Sequence, residues 1–490
     1  MKIIFDRFII RKHLEYILLA LILLMGGLLR LYKINNPIAD WHSWRQADTA
    51  SVSRVFVEKK IDLLYPRYHD ISSIQTGIFN PNGYRLVEFP IYNAIHAILV
   101  KNFPSISLGI WGRLLSIFSA LISAVFLFLI GKRYMGRWGG VITSLFFMFM
   151  PYNVYFTRII LPEPMATAFV LGSVWLFIKF IDTGKQSALY LSGVLLALSL
   201  LIKPFTIFYT PPLIYLAIEK YGLEGIFKKA KILIVFLIFV TISLVPFLLW
   251  RAWISQYPAG IPFFTWAFNG DRIRFRPAFW RWLFAERIGK LILGVWGLVP
   301  LSLGILSTKK KDFFNLIFFL GGVLYMIVIA TANVRHDYYQ IFLIPMLVLL
   351  LAKGTLFMWK NKTFSGWISK SLAVFSILIM LMVGAYQAKE FYKINHPEII
   401  EAGRAVDRLT PKDSLVIAPY NGDTAFLYQT GRWGWPAIDD SIDRIIEKGA
   451  DYYVSVNIGD ADTQMVLKRF KTLERTNNYV IVDLHQPVKL

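Results

Sequence analysis

Separate stretches of this 490-residue sequence collect the residue types that move protons and hold anions. Asp40, Trp41, His42, Trp44, Arg45 and Asp48 crowd into one short segment. Glu88 lies in GYRLVEF, and Glu163 sits between Pro162 and Pro164 in TRIILPEP, five residues after Arg158. Lys203 ends LLIK before Pro204, and Arg335, His336, Tyr338 and Tyr339 share the segment NVRHDYYQ. A carboxylate in such a set can remove a proton from an acceptor hydroxyl as general base. Lys, Arg and Tyr can hold a phosphate by charge-assisted hydrogen bonds. The combination suits one reaction, in which a phosphate departs from a sugar carbon as the acceptor attacks. Phosphate is a good leaving group, so one base and one anion clamp suffice, and a single displacement inverts the anomeric centre.

Each residue also has a plainer reading. The stretch Ala47–Lys59 has helical spacing, with Val52, Val55 and Phe56 on one face, which would place Asp48 in a first turn where carboxylates are common. Trp41 and Trp44 suit a membrane interface, and Glu163 suits a proline-marked helix start. Arg158 can neutralise Glu163, and Lys203 can snorkel to the membrane surface. The segment 335–339 can be an ordinary loop.

The elements that must position these residues are apolar spans. The chain is 56% hydrophobic and 17% charged, against about 25% charged in soluble domains. Hydropathy places about eleven crossings, at 14–32, 108–130, 138–153, 164–181, 187–203, 205–219, 232–250, 291–307, 313–331, 338–352 and 370–387. The net charge of +22 follows the spans. Lys and Arg concentrate in the N-terminal run and in connectors 131–137, 219–231, 307–312 and 352–370. Alternate connectors are poor in them. This positive-inside pattern puts the N-terminus inside and argues for a multi-pass protein of the plasma membrane, with no nucleic-acid partner. Cysteine is absent, which excludes disulfides and thiolate metal sites. The first apolar run is too long for a signal-peptide core and lacks a small-residue cleavage site, so it reads as a retained span.

Three outer regions follow. Residues 33–107 carry Asp40–Asp48 and Glu88, residues 251–290 are rich in Trp, Phe and Arg as suits an interface, and a tail begins at 388. Within the tail, 413–418, 451–456 and 478–484 read as strands, while IDDSIDRIIEKGA and TQMVLKRFKTLE have helical periodicity. The expected domains are a membrane domain over 1–387 and a small α/β extracytoplasmic domain over 388–490.

At the motifs WRQADTASVSRVF (44–56), YPR (65–67), EFPIYNAI (88–95), ILPEP (160–164), LIKP (201–204) and RHDYYQIFLIP (335–345), the sequence resembles the GT-C glycosyltransferases that use polyprenyl-phosphate sugars. It is similar to the bacterial relatives of protein O-mannosyltransferases and of the lipid A aminoarabinose transferase. The resemblance implies a polytopic GT-C helical fold and an inverting glycosyltransferase acting on the outer face. It implies Asp48 as catalytic base with Asp40 the second candidate, Glu163 as a further acidic residue and Glu88 as a supporting carboxylate. Arg335 with Tyr338 or Tyr339 would contact the donor phosphate, with Lys203 and Arg158 beside them and Arg45, Trp44 and His336 in support. No metal or other cofactor is implied. The implied partners are a polyprenyl-phosphate sugar, membrane lipids, and a lipid, glycan or protein acceptor. Phe89 follows Glu88 where the aminoarabinose transferases carry lysine, which weakens the case for that particular sugar. Two other classes compete. A flippase would place charges in mid-span, where these spans have almost none, and an oligosaccharyltransferase would need a divalent ion.

Overall fold

The computed structural model describes residues 2–310, 313–362 and 365–488, with side chains described from residue 13 onward. The basic side chains Lys2, Arg7, Arg11, Lys12 and Lys311, which belong to connectors expected to lie inside, fall outside the described residues. The chain divides into two compact units. The first comprises Met1–Tyr32, Leu114–Trp250 and Phe264–Glu390, the second Lys33–Arg113, Arg251–Phe263 and Phe391–Leu490.

The first unit is helical and apolar. Among the described residues five helical stretches are long and apolar enough to cross a membrane: His13–Arg30, Leu108–Phe149, Glu163–Thr183, Ala230–Ile254 and Gly366–Tyr392. The second and third expected spans are one stretch bent at Gly136, whose φ of 76° and ψ of −177° interrupt the helix. Several other expected spans are split where proline or glycine breaks the hydrogen-bond ladder. Pro204–Tyr209 is a 3-10 turn followed by the helix Pro211–Tyr221. Asp337–Phe342 is a 3-10 turn preceding Ile344–Lys360. The region of span 291–307 begins as a π-helix, Trp282–Ile292, passes positive-φ Gly294 and Val295, and resumes as Leu298–Leu306. Glu163–Thr183 is 72% buried over its apolar window against 17% for Ala230–Ile254, so the Glu163 helix is an interior element and the latter faces outward.

The second unit joins the first long loop to the tail. Helix Ser43–Glu58 is buried on all sides. Val52 and Phe56 pack with Tyr68 and with Ala97 of the helix Ile91–Asn102. Against another face lies the tail helix Thr424–Thr430, where Arg54 stacks 3.7 Å over the Tyr428 ring and donates to the Tyr428 carbonyl. The tail carries five strands, β1 (Leu415–Ile417), β2 (Trp433–Trp435), β3 (Tyr452–Ser455), β4 (Phe470–Arg475) and β5 (Val480–Pro487), in the order β2-β1-β3-β5-β4. The β1 strand pairs in parallel with β2 and β3, while β5 runs antiparallel to β3 and β4. Ile417, Trp435, Tyr453, Val466, Val480 and Val482 form its core.

Strands β1, β3 and β5 lie where the sequence places them; β2 and β4 do not. The β2 strand is three residues around Gly434, where an added Cβ would lie 1.8 Å from the Val416 carbonyl oxygen. Close backbone approach makes that strand, and it leaves no alternating pattern. The residues of β4 read as a continuation of the preceding helix, but they leave it at Arg469 and hairpin onto β5 through Thr476, which accepts from the Asn478 and Tyr479 amides.

Candidate functional site

The chemistry-bearing residues fall into two sets, one in each unit. In the loop-and-tail unit, helix Ser43–Glu58 begins after His42, whose φ of 57° is left-handed. The helix thus starts four residues earlier than its spacing suggests, and Asp48 sits inside it instead of in its first turn. Asp48 is 1% exposed. Its Oδ2 accepts from Arg85 Nη2 at 2.5 Å and its Oδ1 from the Thr424 hydroxyl at 2.7 Å. Burial alone would weaken the Arg85 cation, but the Asp48 charge together with Tyr68 and Glu88 outweighs it and holds the guanidinium above its ordinary pKa. Tyr68 lies under the same guanidinium at 5.0 Å.

Asp40 lies in the turn before the helix and is 3% exposed. Gln46 Nε2 donates to its Oδ1 at 2.7 Å, and Arg113 Nη2 stands 3.9 Å from its Oδ2. Arg113 is itself fixed by donating to the Ile34 and Asn36 carbonyls. Arg45 pairs with Glu88, both largely buried. The Trp44 carbonyl accepts from Thr424 at 3.3 Å, while Trp41 stacks on Phe391.

A small cleft beside Asp48 is lined by Ser51, Tyr68, His69, Asp70 and Thr424, with an empty volume of about 170 Å³. Much of that is open solvent, and the enclosed space is only about 10 Å³, so within this unit Asp48 borders room for about one water. Burial pushes the Asp70 carboxyl up to about 6, against the hydrogen bonds from Ser72 and aided by the Asp48 charge. Burial likewise pushes His69 down.

Asp423 is raised to about 6, first by burial, against the Ala425 amide it caps, with further upward pressure from Asp48 and downward pull from His42 and His396. A folded-state value above the unfolded one means the ionised form costs stability. That cost is absent below about pH 4 and complete above about pH 7. Asp423→Asn keeps a good N-cap and removes the charge. It should raise the thermal midpoint at pH 8, by clearly less at pH 4.5 and not at all at about pH 3.5, as differential scanning fluorimetry in detergent would read. A variant less stable than wild type at pH 8 would oppose this.

In the membrane-type unit, Pro162 and Pro164 mark the start of helix Glu163–Thr183, and Glu163 is its first residue, 1% exposed. Lys203 has extended φ and ψ because a residue before proline is pushed out of the helical region, so helix Gln186–Ile202 stops there. Its ammonium reaches Glu163 Oε1 at 3.0 Å. Arg158 is fully buried, its guanidinium 6.0 Å from the Tyr155 ring.

The turn Asp337–Phe342 packs on the Glu163 helix. Tyr338 is buried and stacks near Tyr339, their centroids 4.5 Å apart. The Tyr339 carbonyl accepts from Tyr325, and its ring lies against Phe205. His336 sits between Trp266 and the two tyrosines. Arg335, by contrast, is exposed and pairs with Asp271 at 2.7 Å.

The structure therefore joins Glu163 to Lys203, Arg45 to Glu88, and His336 to Tyr338 and Tyr339. Asp48 and Asp40 have different partners. Sequence reasoning missed Gln46, Arg85, Arg113, Asp70, Thr424 and Asp423. Arg113 had a signal, as a cation inside the apolar run 108–130. Thr424 had none, since its partner Asp48 is 376 residues away.

Among known proteins, residues 91–250 match the family model described as dolichyl-phosphate-mannose-protein mannosyltransferase. No protein of curated function matches the sequence. The fold is similar to that of ArnT from Cupriavidus metallidurans. The undecaprenyl phosphate-bound form gives a TM-score of 0.63 and the apo form 0.65, each at 12% identity over 95% of this chain and 97% of that one. The Archaeoglobus fulgidus oligosaccharyltransferase, in complex with zinc and sulfate, gives 0.56 at 11% identity over 94% of this chain and 73% of that one. By fold across nearly its whole length the chain is similar to ArnT, and by sequence over residues 91–250 it resembles the dolichyl-phosphate-mannose-protein mannosyltransferases.

Proposed function

We propose that the protein is an inverting glycosyltransferase of the plasma membrane that takes a single sugar from a polyprenyl-phosphate carrier on the outer face. The observation that carries this reading is the buried pair of Glu163 and Lys203 in the apolar unit. Ionisable groups inside such a unit are costly and mark substrate or ion sites. Lys203, Arg158 and the Tyr338–Tyr339 turn supply the chemistry to receive a departing phosphate. Glu163 holds Lys203 in place at 3.0 Å, and the undecaprenyl phosphate bound to ArnT supports a carrier of that class. Arg335 takes a smaller part, since Asp271 engages it at the surface.

In this reading Asp40 is the general base, ahead of Asp48. Both oxygens of Asp48 are committed to Arg85 and Thr424, which suits architecture. Asp40 has the features of an oriented base, held by Gln46 with Arg113 nearby. Arg45 and Glu88 fix the start of the helix that follows it. The proton removed from the acceptor hydroxyl goes to Asp40 as the acceptor oxygen attacks the anomeric carbon. The bond to the lipid phosphate breaks, and its electrons leave with the phosphate oxygen.

Purified protein in nanodiscs with radiolabelled undecaprenyl-phosphate hexose and a membrane-extract acceptor fraction should yield labelled product of inverted configuration. Donor movement across the bilayer without sugar transfer would replace this reading with a flippase. Lys203→Met should raise the donor KM by about 10–100-fold, the value of a charge-assisted hydrogen bond, with a smaller change in kcat. An unchanged KM would remove Lys203 from the donor site.

A further inference from the structure

Residues 264–290 form an irregular, mostly exposed stretch of the membrane-type unit: the short helix Trp266–Asn269, the 3-10 turn Ile273–Phe275, the helix Pro277–Arg281 and the π-helix Trp282–Ile292. Its cations fall into two kinds. Arg274 donates to the Phe268 and Val328 carbonyls, and Arg287 donates to the Val334 carbonyl and stands 3.6 Å from Asp337. These two staple the stretch to the helices beneath. Arg272, Arg276 and Arg281 are exposed, and none has a side-chain hydrogen bond or ion pair among the described residues. The local carboxylates do not balance them, because Asp271 pairs with Arg335 and Glu286 lies 3.8 Å from Lys290.

Between these arginines stand large exposed aromatics: Phe275 is 77% exposed, Trp280 40% and Trp282 42%. Both indoles are held in place, Trp280 donating to the Arg274 carbonyl and Trp282 to the Val334 carbonyl. The rings are therefore displayed outward by a fixed backbone. Exposed aromatics interleaved with uncompensated arginines are the composition of a surface that lies in the headgroup region of an anionic bilayer. Burial of the rings at the acyl boundary and pairing of each guanidinium with a lipid phosphate would satisfy both halves of the pattern.

We propose that Arg272, Arg276 and Arg281, with Phe275, Trp280 and Trp282, dock on the phosphates of anionic phospholipids and retain them at this stretch. This is independent of the sugar-transfer reading. The pattern favours bulk anionic lipid over the carrier's own phosphate because three separate cations face outward and none belongs to the Lys203 set.

The test uses the full-length protein in nanodiscs of mixed phosphatidylcholine and phosphatidylglycerol, with native mass spectrometry counting retained lipids. Wild type should retain phosphatidylglycerol above its share of the mixture. The variant with Arg272→Gln, Arg276→Gln and Arg281→Gln should weaken that retention by about fivefold per arginine at low salt. The matching Arg→Lys variant should keep most of it, since lysine preserves the charge. Thermal midpoints of the three proteins should agree, as these side chains hold nothing inside the fold. Unchanged phosphatidylglycerol retention in the glutamine variant overturns the proposal. So does unchanged retention with a raised KM for the polyprenyl-phosphate donor, which would assign the arginines to the carrier.

Discussion

Asp40→Asn should lower sugar transfer by about 10²–10⁴-fold, the usual contribution of a positioned general base, with little change in the donor KM. Asparagine is nearly isosteric and its carbonyl oxygen can still accept from Gln46, so the turn that precedes helix Ser43–Glu58 should survive. What is lost is the capacity to take a proton. Gln46→Leu offers a graded control: it removes the hydrogen bond that aims Asp40 and should cost turnover less than removing the base itself. Single-turnover transfer from radiolabelled donor, with donor binding measured separately, checks both. If Asp40→Asn turns over at the wild-type rate, Asp40 is no base.

The contrast between these two aspartates shows where the sequence is legible. Spans and charged connectors are local properties: a run of apolar residues has few alternatives, and a break at Pro204, Pro211 or Gly136 is visible in the letters. Glu163 at a proline-marked helix start and Lys203 before a proline are equally local, and the structure places both there. Only the three-dimensional fold brings them to 3.0 Å. Asp48 is different. Its segment crowds charge and aromatic residues into a few positions, which draws attention to every member alike. Which member is committed to architecture depends on Arg85, across the loop, and on Thr424, in the tail. Neither contact leaves a periodicity or a motif. The tail itself reads as a separate strand–helix domain because its strands alternate correctly, yet helix Thr424–Thr430 packs on helix Ser43–Glu58 within one compact unit. The β2 strand escapes notice for a related reason, since pairing at Gly434 depends on a missing side chain instead of a patterned one.

Arg85→Met should destabilise the loop-and-tail unit by about 3–5 kcal/mol, the cost of leaving one member of a buried ion pair without its partner. Asp48 is 1% exposed and would retain only the Thr424 hydroxyl. The reverse change, Asp48→Asn, strands a guanidinium whose Nε and Nη1 already have no hydrogen-bond partner among the described residues. It should cost a similar amount. Because the pair is buried, removing both charges together is far cheaper than removing either one. The Asp48→Asn, Arg85→Met double variant should therefore recover most of the loss, giving a coupling energy of about 5 kcal/mol or more in a double-mutant cycle. For a unit of this size each kcal/mol moves the thermal midpoint by about 2–4 °C, so each single variant should melt on the order of 10 °C early. Intrinsic fluorescence of Trp433 and Trp435, in and beside the sheet core, can follow that transition. The double variant also decides function. A restored fold with transfer within about tenfold of wild type assigns Asp48 to holding the helix, the loop and the tail together. A restored fold with transfer lost by more than about 10²-fold makes Asp48 the base after all and leaves Asp40 a positioning residue.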